Sequence, residues 1–242
     1  MVIEITEEQL FDYMNCPVRY AIKYGKNHIN VPPQVTYPKL LNQVVYGFCQ
    51  SLKDGIIMPP DMLKRKWDGV CKQYPDKVTQ DKIREGFGAL YRFYEYAEDN
   101  QILVADIGSS YILHVKDGAD TYIYNGTLGI ILANKNGEPE NFKTDFSSKF
   151  PDQSRLDMNL KITLDHVGFY QLYNTPMSGT RIHHVKKSRD YYTTRDIPSA
   201  TKKVSAIIVN VCKSIKQNIW YPHENPLCSS CEVRDFCMMY GS

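Results

Sequence analysis

The sequence lacks the strongest signals of several common functional classes. No apolar run approaches the roughly 18 residues that a membrane span requires, so we expect no membrane partner. The chain begins Met-Val-Ile-Glu-Ile, without the basic and apolar stretches of a signal peptide. It contains no G-x-x-x-x-G-K-S/T phosphate loop and no G-x-S-x-G nucleophile motif. The formal net charge is only +2 over 242 residues, so no overall basic field indicates nucleic acid.

The most informative feature that is present is a split pattern of cysteines. Cys16 stands before Pro17 near the N-terminus, whereas Cys228, Cys231 and Cys237 close the chain. Disulfide frameworks belong mostly to secreted proteins, and seven cysteines is an odd number. Four thiolates instead suit an iron–sulfur cluster or a tetrahedral zinc ion, which we expect to join the two ends of the chain. The remaining cysteines have apolar neighbours and are interpreted as buried packing residues: Cys49, Cys71 and Cys212.

Hydrophobic periodicity predicts a helical first part followed by a mixture of strands and helices. The predicted helices are 6–24 with a break at Pro17, 38–53, 60–74, 79–99, 156–173 and 199–217. The predicted strands lie within 101–116, 121–124, 127–132, 140–144, 181–185 and 191–194. We therefore predict one α/β domain over 1–242, with a helical part at 1–100, an α/β core at 101–220 and a cysteine-rich clip at 221–242.

This order of elements resembles the RecB-like PD-(D/E)XK nucleases that carry an iron–sulfur cluster, such as the AddB C-terminal nuclease and the CRISPR-associated iron–sulfur exonucleases. The resemblance rests on Cys16-Pro17-x-x-Tyr20, on the spacing of the C-terminal cysteines and on Lys143-Thr144 after a strand–turn–strand. It covers most of the chain in element order but few positions in identity. It implies a small mixed central sheet flanked by helices (a restriction-endonuclease-like core), an N-terminal helical layer and a metal clip joining the termini. It also implies one [4Fe–4S] cluster, with zinc as the alternative, on four ligands: Cys16, Cys228, Cys231 and Cys237.

The catalytic motif of these nucleases is degenerate in this chain. The family holds a divalent metal on an Asp and a Glu, with a Lys two residues after the Glu. Only Lys143 matches, because Gly129 stands at the Asp position and Asn141 at the Glu position. Many of these nucleases also carry a His on the second helix. The corresponding position in this chain falls near Tyr46 and is not a His. Mg²⁺ needs anionic oxygen ligands, so we expect no catalytic magnesium and no cleavage.

Other polar residues offer weaker candidates for chemistry. Acidic residues near the degenerate motif are Glu138, Glu140, Asp145 and Asp165, of which Glu140 and Asp145 are weak catalytic candidates. His183 and His184 are adjacent on a predicted strand, so they face opposite sides and do not form a joint ligand pair. A compact basic turn is a possible phosphate contact together with Lys143: Lys186, Lys187 and Arg189.

These observations lead to one leading function and two alternatives. The leading hypothesis is an iron–sulfur protein of nuclease ancestry that does not cleave, and that binds DNA or serves as a structural subunit with protein partners. The first alternative is an active single-strand DNA exonuclease that uses other acids. The second is a purely structural protein of a viral particle, for example a phage. The location we expect is cytoplasmic, in a reducing compartment, or virion-associated.

Overall fold

The computed structural model describes residues 2–26, 28–31, 35–149 and 152–239. Its α-helices are α1 (Glu7–Asn15), α2 (Pro17–Tyr24), α3 (Tyr37–Lys53), α4 (Pro60–Gln73), α5 (Gln80–Asp99), α6 (Gln153–Asp157), α7 (Leu160–Tyr173) and α8 (Ile197–Lys216). Its strands are β1 (Val2–Thr6), β2 (Leu103–Ile107), β3 (Ser110–Asp117), β4 (Asp120–Thr127), β5 (Ile130–Ala133), β6 (Pro139–Asp145), β7 (Gly179–His184) and β8 (Arg189–Thr193). Short 3-10 helices lie at Pro75–Lys77, Val185–Lys187, Pro226–Ser230 and Arg234–Phe236. The predicted α/β class is confirmed.

The start of the chain folds as its local signals predict. Thr6 caps α1, because its hydroxyl accepts from the Gln9 backbone N–H at 3.3 Å while the Gln9 side chain accepts from the Thr6 N–H at 2.9 Å. Proline lacks an N–H and is tolerated only in the first turn of a helix. Pro17 therefore ends α1 and begins α2, and the predicted break is confirmed. Cys16 lies between the two helices in an extended conformation, with φ −163° and ψ 112°.

The described residues divide into two compact units, each discontinuous in sequence. The first unit comprises Met1–Gln34, Ser110–Thr127 and Thr201–Ser242. Its sheet has the order β1-β4-β3, in which β1 is parallel and β3 antiparallel to β4. The long hairpin β3–β4 alternates buried and more exposed residues, so it presents one apolar face. Helices α1 and α2 and most of α8 belong to this unit, as do the four cysteines of the split pattern.

The second unit comprises Val35–Ser109 and Leu128–Ala200. Its five strands have the order β2-β5-β6-β7-β8, and only the β6–β7 pair, connected through α7, is parallel. One face of this sheet joins α3, α4 and α5 in a single apolar core, in which Phe142 packs against Phe93 with ring centroids 6.2 Å apart. Because side chains alternate along a strand, Asn141 and Lys143 lie on the opposite face, where α7 carries Asp165.

Three sequence expectations need correction. One small central sheet was expected, but the strands form two mixed sheets, and β1 was not predicted within the helical part at 1–100. The continuous strand region 101–116 is split into β2 and β3 at Gly108, which adopts a left-handed φ of +74°. Strand periodicity reports which residues are buried but not which strand pairs with which. The single domain over 1–242 and the metal clip remain predictions.

The sequence also predicts that no segment spans a membrane. In the part of the chain that the structure describes, no helix has the length and apolar character to cross a membrane.

Candidate metal centre and nuclease-like site

The four cysteines of the split pattern line one pocket in the first unit. Cys16 lies at the junction of α1 and α2, and the other three follow in the C-terminal segment. Cys228 lies in the first short 3-10 helix of that segment, Cys231 directly after it and Cys237 directly after the second. All four are free thiols of intermediate exposure. The fold thus brings the predicted ligands from the two ends of the sequence to the same pocket.

No site for a single metal ion is preformed among the described residues. Among residues 2–26, 28–31, 35–149 and 152–239, no three His, Cys, Asp or Glu side chains are grouped closely enough to hold one ion. A tetrahedral zinc site with Zn–S bonds of about 2.3 Å places its sulfurs roughly 3.8 Å apart. An iron–sulfur cluster holds its cysteines on different iron atoms and therefore spaces them more widely.

The immediate surroundings of the pocket are partly polar. The backbone N–H of Asn225 donates to Cys228 Sγ at 3.4 Å. Arg19 and Arg234 also line the pocket. Burial raises the pKa of the Cys231 thiol, an effect that Arg19 partly opposes. The donor set is therefore four sulfurs with cationic side chains beside them, which fits an anionic metal–thiolate centre.

The nuclease-like site lies in the second unit, between β6 and α7. Lys143 Nζ donates to Asp165 Oδ2 at 2.9 Å, and Lys161 Nζ donates to Asp165 Oδ1 at 2.7 Å. The Asp165 side chain is fully buried, and the two lysine side chains are about a quarter exposed. Burial alone would raise the pKa of the Asp165 carboxyl, but the two ammonium groups outweigh it and hold that pKa below its usual value. The one matched catalytic residue is thus paired with a carboxylate that lies outside the matched motif.

Neutral groups extend this network across the sheet. Asn141 Nδ2 donates to Asp165 Oδ2 at 3.2 Å and to the Thr180 hydroxyl at 3.3 Å. The Thr180 hydroxyl also lies 3.0 Å from His166 Nε2. Burial lowers the pKa of His166 to about 4, and the positive charge of Arg195 contributes in the same direction. This imidazole is therefore neutral at physiological pH. Asn141 is therefore held as a hydrogen-bond donor.

The two positions that the resemblance assigns to carboxylates, Gly129 and Asn141, are neighbours in space. A Cβ placed on Gly129 would lie 3.8 Å from Asn141 Oδ1, with no atom nearer. Asn141 Oδ1 is buried and has no hydrogen-bond partner among the described residues. Gly129 does not have a left-handed φ, so its backbone accepts other residues. A Cβ at Gly129 therefore fits beside Asn141, and neither position carries a carboxylate.

Helix α3 packs on the face of β6 opposite to Lys143, where it contacts Thr144, and it also approaches the turn at Gly108. The Thr144 hydroxyl donates to Asn42 Oδ1 at 2.7 Å. A Cβ on Gly108 would overlap the hydroxyl of Tyr46. Tyr46 is about 40% exposed, so α3 presents a phenol and an amide here, and the position near Tyr46 holds no imidazole.

The weak acidic candidates do not join Lys143. Glu140 lies on the opposite face of β6, where its carboxylate pairs with Arg181 at 2.7 Å. Asp145 accepts from the backbone N–H of Ser147 at 2.8 Å and from its hydroxyl at 3.0 Å, which closes a local turn. Both carboxylates therefore have structural partners.

The basic turn offers less free charge than the sequence indicates. Lys186 Nζ pairs with Glu85 at 2.9 Å. The Arg189 guanidinium lies 5.4 Å from the ring centroid of Tyr191. Lys187 and Arg189 are exposed. Phosphate contact at this turn would rest mainly on Lys187 and Arg189.

The adjacent histidines face opposite sides of β7, as expected from strand geometry. His183 stacks on Tyr96 with ring centroids 3.6 Å apart, and its Nδ1 lies 2.8 Å from Asp190 Oδ1. His184 occupies the other face, in the row of Asp145 and Arg189. They therefore do not form a joint ligand pair.

Two partners in these sites were missed by sequence reasoning. Lys161 lies four residues before Asp165 on α7, and this i,i+4 spacing of opposite charges was the available signal. Glu232 pairs with Arg19 at 2.7 Å, and a contact over so large a sequence separation has no local signal.

Comparisons with known proteins give little further information. No family model and no curated protein sequence matches the chain. The crystal structure of SSO0001 aligns at 13% identity over 97% of this chain and 94% of that chain, with a TM-score of 0.40. The crystal structure of Rai1 from Scheffersomyces stipitis aligns at 10% identity over 88% of this chain and 70% of that chain, with a TM-score of 0.25. Both TM-scores are under 0.5, so neither likeness carries an argument.

Proposed function

We propose that this chain is a nuclease-derived protein that does not cleave nucleic acid, that contacts DNA weakly or serves as a subunit of a larger assembly, and that carries a four-cysteine [4Fe–4S] centre. The observation that carries the proposal is the state of the degenerate motif. Lys143 is bound to Asp165, while Gly129 and Asn141 stand together without a carboxylate.

The absence of cleavage follows from the charges at this site. A divalent cation requires anionic oxygens, and Asp165 is the one carboxylate in contact with Lys143 among the described groups. Two ammonium groups already lie within 3 Å of its oxygens and repel a further cation. Phosphoryl chemistry of the nuclease type needs that cation to polarise the phosphate and to activate water.

The cluster is supported by the donor set. Four thiols from distant parts of the sequence line one pocket. Cys16, Cys228, Cys231 and Cys237 would each hold one iron of a cubane, which serves here as a cross-link between distant parts of the sequence. Zinc remains the alternative occupant of the four thiols.

Anaerobic purification followed by absorption spectroscopy and iron and sulfide analysis tests the metal centre. We expect about four iron and four sulfide per chain. Colourless protein with one zinc ion per chain would replace the cluster by a zinc site without affecting the argument about cleavage.

A cleavage assay with Mg²⁺ or Mn²⁺ on single- and double-stranded DNA tests the degenerate motif. We expect no products from the native protein and metal-dependent products from the double variant Gly129→Asp/Asn141→Glu. A Cβ at Gly129 meets Asn141 Oδ1 at an ordinary contact distance of 3.8 Å, and a Glu at 141 would give Lys143 a second anion. The matched control is Gly69→Asp/Asn136→Glu, which adds the same charges where Gly69 faces open space and Asn136 is exposed.

DNA binding is measured separately, by the salt dependence of affinity. We expect weak binding that falls steeply with salt, and Lys187→Ala and Arg189→Ala should each lower the salt slope by about one unit. Cleavage by the native protein that Asp165→Asn abolishes would identify an active nuclease instead. A protein that neither binds nor cleaves DNA would favour the purely structural alternative.

A further inference from the structure

A buried ionic cluster lies beside the four-cysteine pocket. The Arg19 guanidinium Nη2 lies 3.0 Å from Asp12 and 2.7 Å from Glu232. Lys23 Nζ joins the same two carboxylates, at 2.6 Å and 3.6 Å. Exposed fractions are 18% for Arg19, 5% for Asp12, 13% for Glu232 and 9% for Lys23. Two cations and two carboxylates therefore neutralise each other away from solvent.

This cluster connects elements that are distant in sequence. Asp12 lies on α1, Arg19 and Lys23 lie on α2, and Glu232 directly follows Cys231 in the C-terminal segment. A second contact of the same kind runs from Asn225 Nδ2 to the carbonyl of Asn15 at 3.1 Å. These contacts therefore join the C-terminal cysteine segment to the two helices on either side of Cys16.

Arg19 has one donor that the protein leaves unused. Its Nη2 binds both carboxylates, but its Nε–H is buried and has no hydrogen-bond partner among the described residues. The same side chain lines the thiol pocket, three residues after Cys16. An unsatisfied buried donor is costly, and each such group calls for an explanation such as a missing ligand atom.

We propose that Arg19 is a positioning residue of the four-cysteine centre. Asp12 and Glu232 fix its guanidinium, and its Nε–H donates a hydrogen bond to a sulfur of the bound centre. This inference rests on the proposed metal site and adds an outer-shell residue to it. Outer-shell donors to ligating sulfur strengthen metal binding and raise the reduction potential of a cluster, because they stabilise its more negative reduced form.

Three variants and a control separate the hydrogen bond from the charge. Arg19→Lys keeps the charge but removes the Nε donor and the planar fork. Arg19→Gln removes both the positive charge and the Nε donor. Glu232→Gln removes a negative charge and weakens the ion pair that holds the Arg19 guanidinium. Arg84→Gln is the control, since Arg84 is 81% exposed in an i,i+3 pair with Asp81. The measurements are the rate of metal release to a chelator and the reduction potential of the cluster, with circular dichroism to verify folding.

We expect Arg19→Lys to release metal about 10- to 100-fold faster and to shift the potential to more negative values. Glu232→Gln should also release metal faster, but without a negative shift in potential, whereas Arg84→Gln should match the native protein. A native release rate and potential in Arg19→Lys would overturn the inference, as would equal potentials in all variants. Arg19→Gln is the variant at risk of misfolding, and Arg19→Lys keeps the experiment interpretable.

The outcome also separates this inference from the proposed cluster. If the native protein holds zinc, the iron–sulfur proposal fails, and the release rate of zinc from Arg19→Lys still decides the role of Arg19. Faster release supports the positioning role under either metal, and an unchanged rate refutes it. A protein that binds neither iron nor zinc refutes both.

Discussion

The buried carboxylate of Asp165 provides the sharpest stability prediction. It is fully buried and accepts from two lysines and from Asn141, so Asp165→Asn keeps the shape of the side chain but leaves two ammonium groups without their anion. Breaking a buried ion pair by removing one partner costs about 3–5 kcal/mol. Lys143 and Lys161 are about a quarter exposed and regain some hydration. Because this hydration offsets part of the cost, we expect the free energy of unfolding to fall by about 2–4 kcal/mol, which is less than the full cost of breaking a buried pair.

Urea denaturation measures this loss directly, as a lower midpoint with an unchanged slope. The matched control is Asp68→Asn, which breaks an exposed i,i+4 pair with Lys64 at 2.8 Å and should cost less than about 0.5 kcal/mol. Lys143→Met should cost less than Asp165→Asn, because Lys161 still neutralises the carboxylate. A loss below about 0.5 kcal/mol in Asp165→Asn would refute the assignment of this network as a buried ionic core.

The pH dependence gives an independent check on the same group. The folded-state pKa of Asp165 is lowered, so its contribution is fully present above the unfolded pKa of about 3.9 and is lost as the pH falls through the lower folded value. The stability difference between the native protein and Asp165→Asn should therefore be constant from about pH 5 to 8 and shrink below about pH 4. A difference that grows on acidification would contradict this sign.

Two further predictions concern the metal centre and the helical core. Cys231→Ser should lower the melting temperature of the metal-loaded protein sharply, because ligand binding is coupled to folding. Cys71→Ser replaces a buried packing thiol and should cost about 1 kcal/mol. Equal effects of the two variants in thermal unfolding would refute the ligand assignment. Gly86→Ala should destabilise by about 1–3 kcal/mol, because its Cβ would overlap the ring of Trp67. Gly69→Ala, at an open helical position, should instead stabilise by up to about 1 kcal/mol, and the same sign for both glycines in urea unfolding would contradict the packing argument.

Local features of the fold and the meeting of the four cysteines were predictable from sequence. Pro17 predicted the break between α1 and α2, and the structure confirms it. The spacing of the cysteines predicted that Cys16 meets the C-terminal three, and all four line one pocket. The absence of a catalytic carboxylate pair at Gly129 and Asn141 stays a prediction, because it depends on the resemblance to a nuclease family. The helix break depends on short-range geometry, and the meeting of the cysteines was inferred from ligand chemistry, since four soft sulfur ligands suit one metal centre.

Tertiary structure alone decided the pairing of strands and the partner of each charge. Residues 101–144 contribute strands to two sheets, because backbone hydrogen bonds pair any compatible edges and strand periodicity does not encode the partner. Glu140 and Asn141 are adjacent in sequence, but their side chains lie on opposite faces of β6. Glu140 therefore contacts Arg181, whereas Asn141 contacts Asp165. The contact between Arg19 and Glu232 likewise joins residues far apart in the chain. Such contacts exist only when the whole chain is packed, because burial fixes which opposite charges meet and which remain in water.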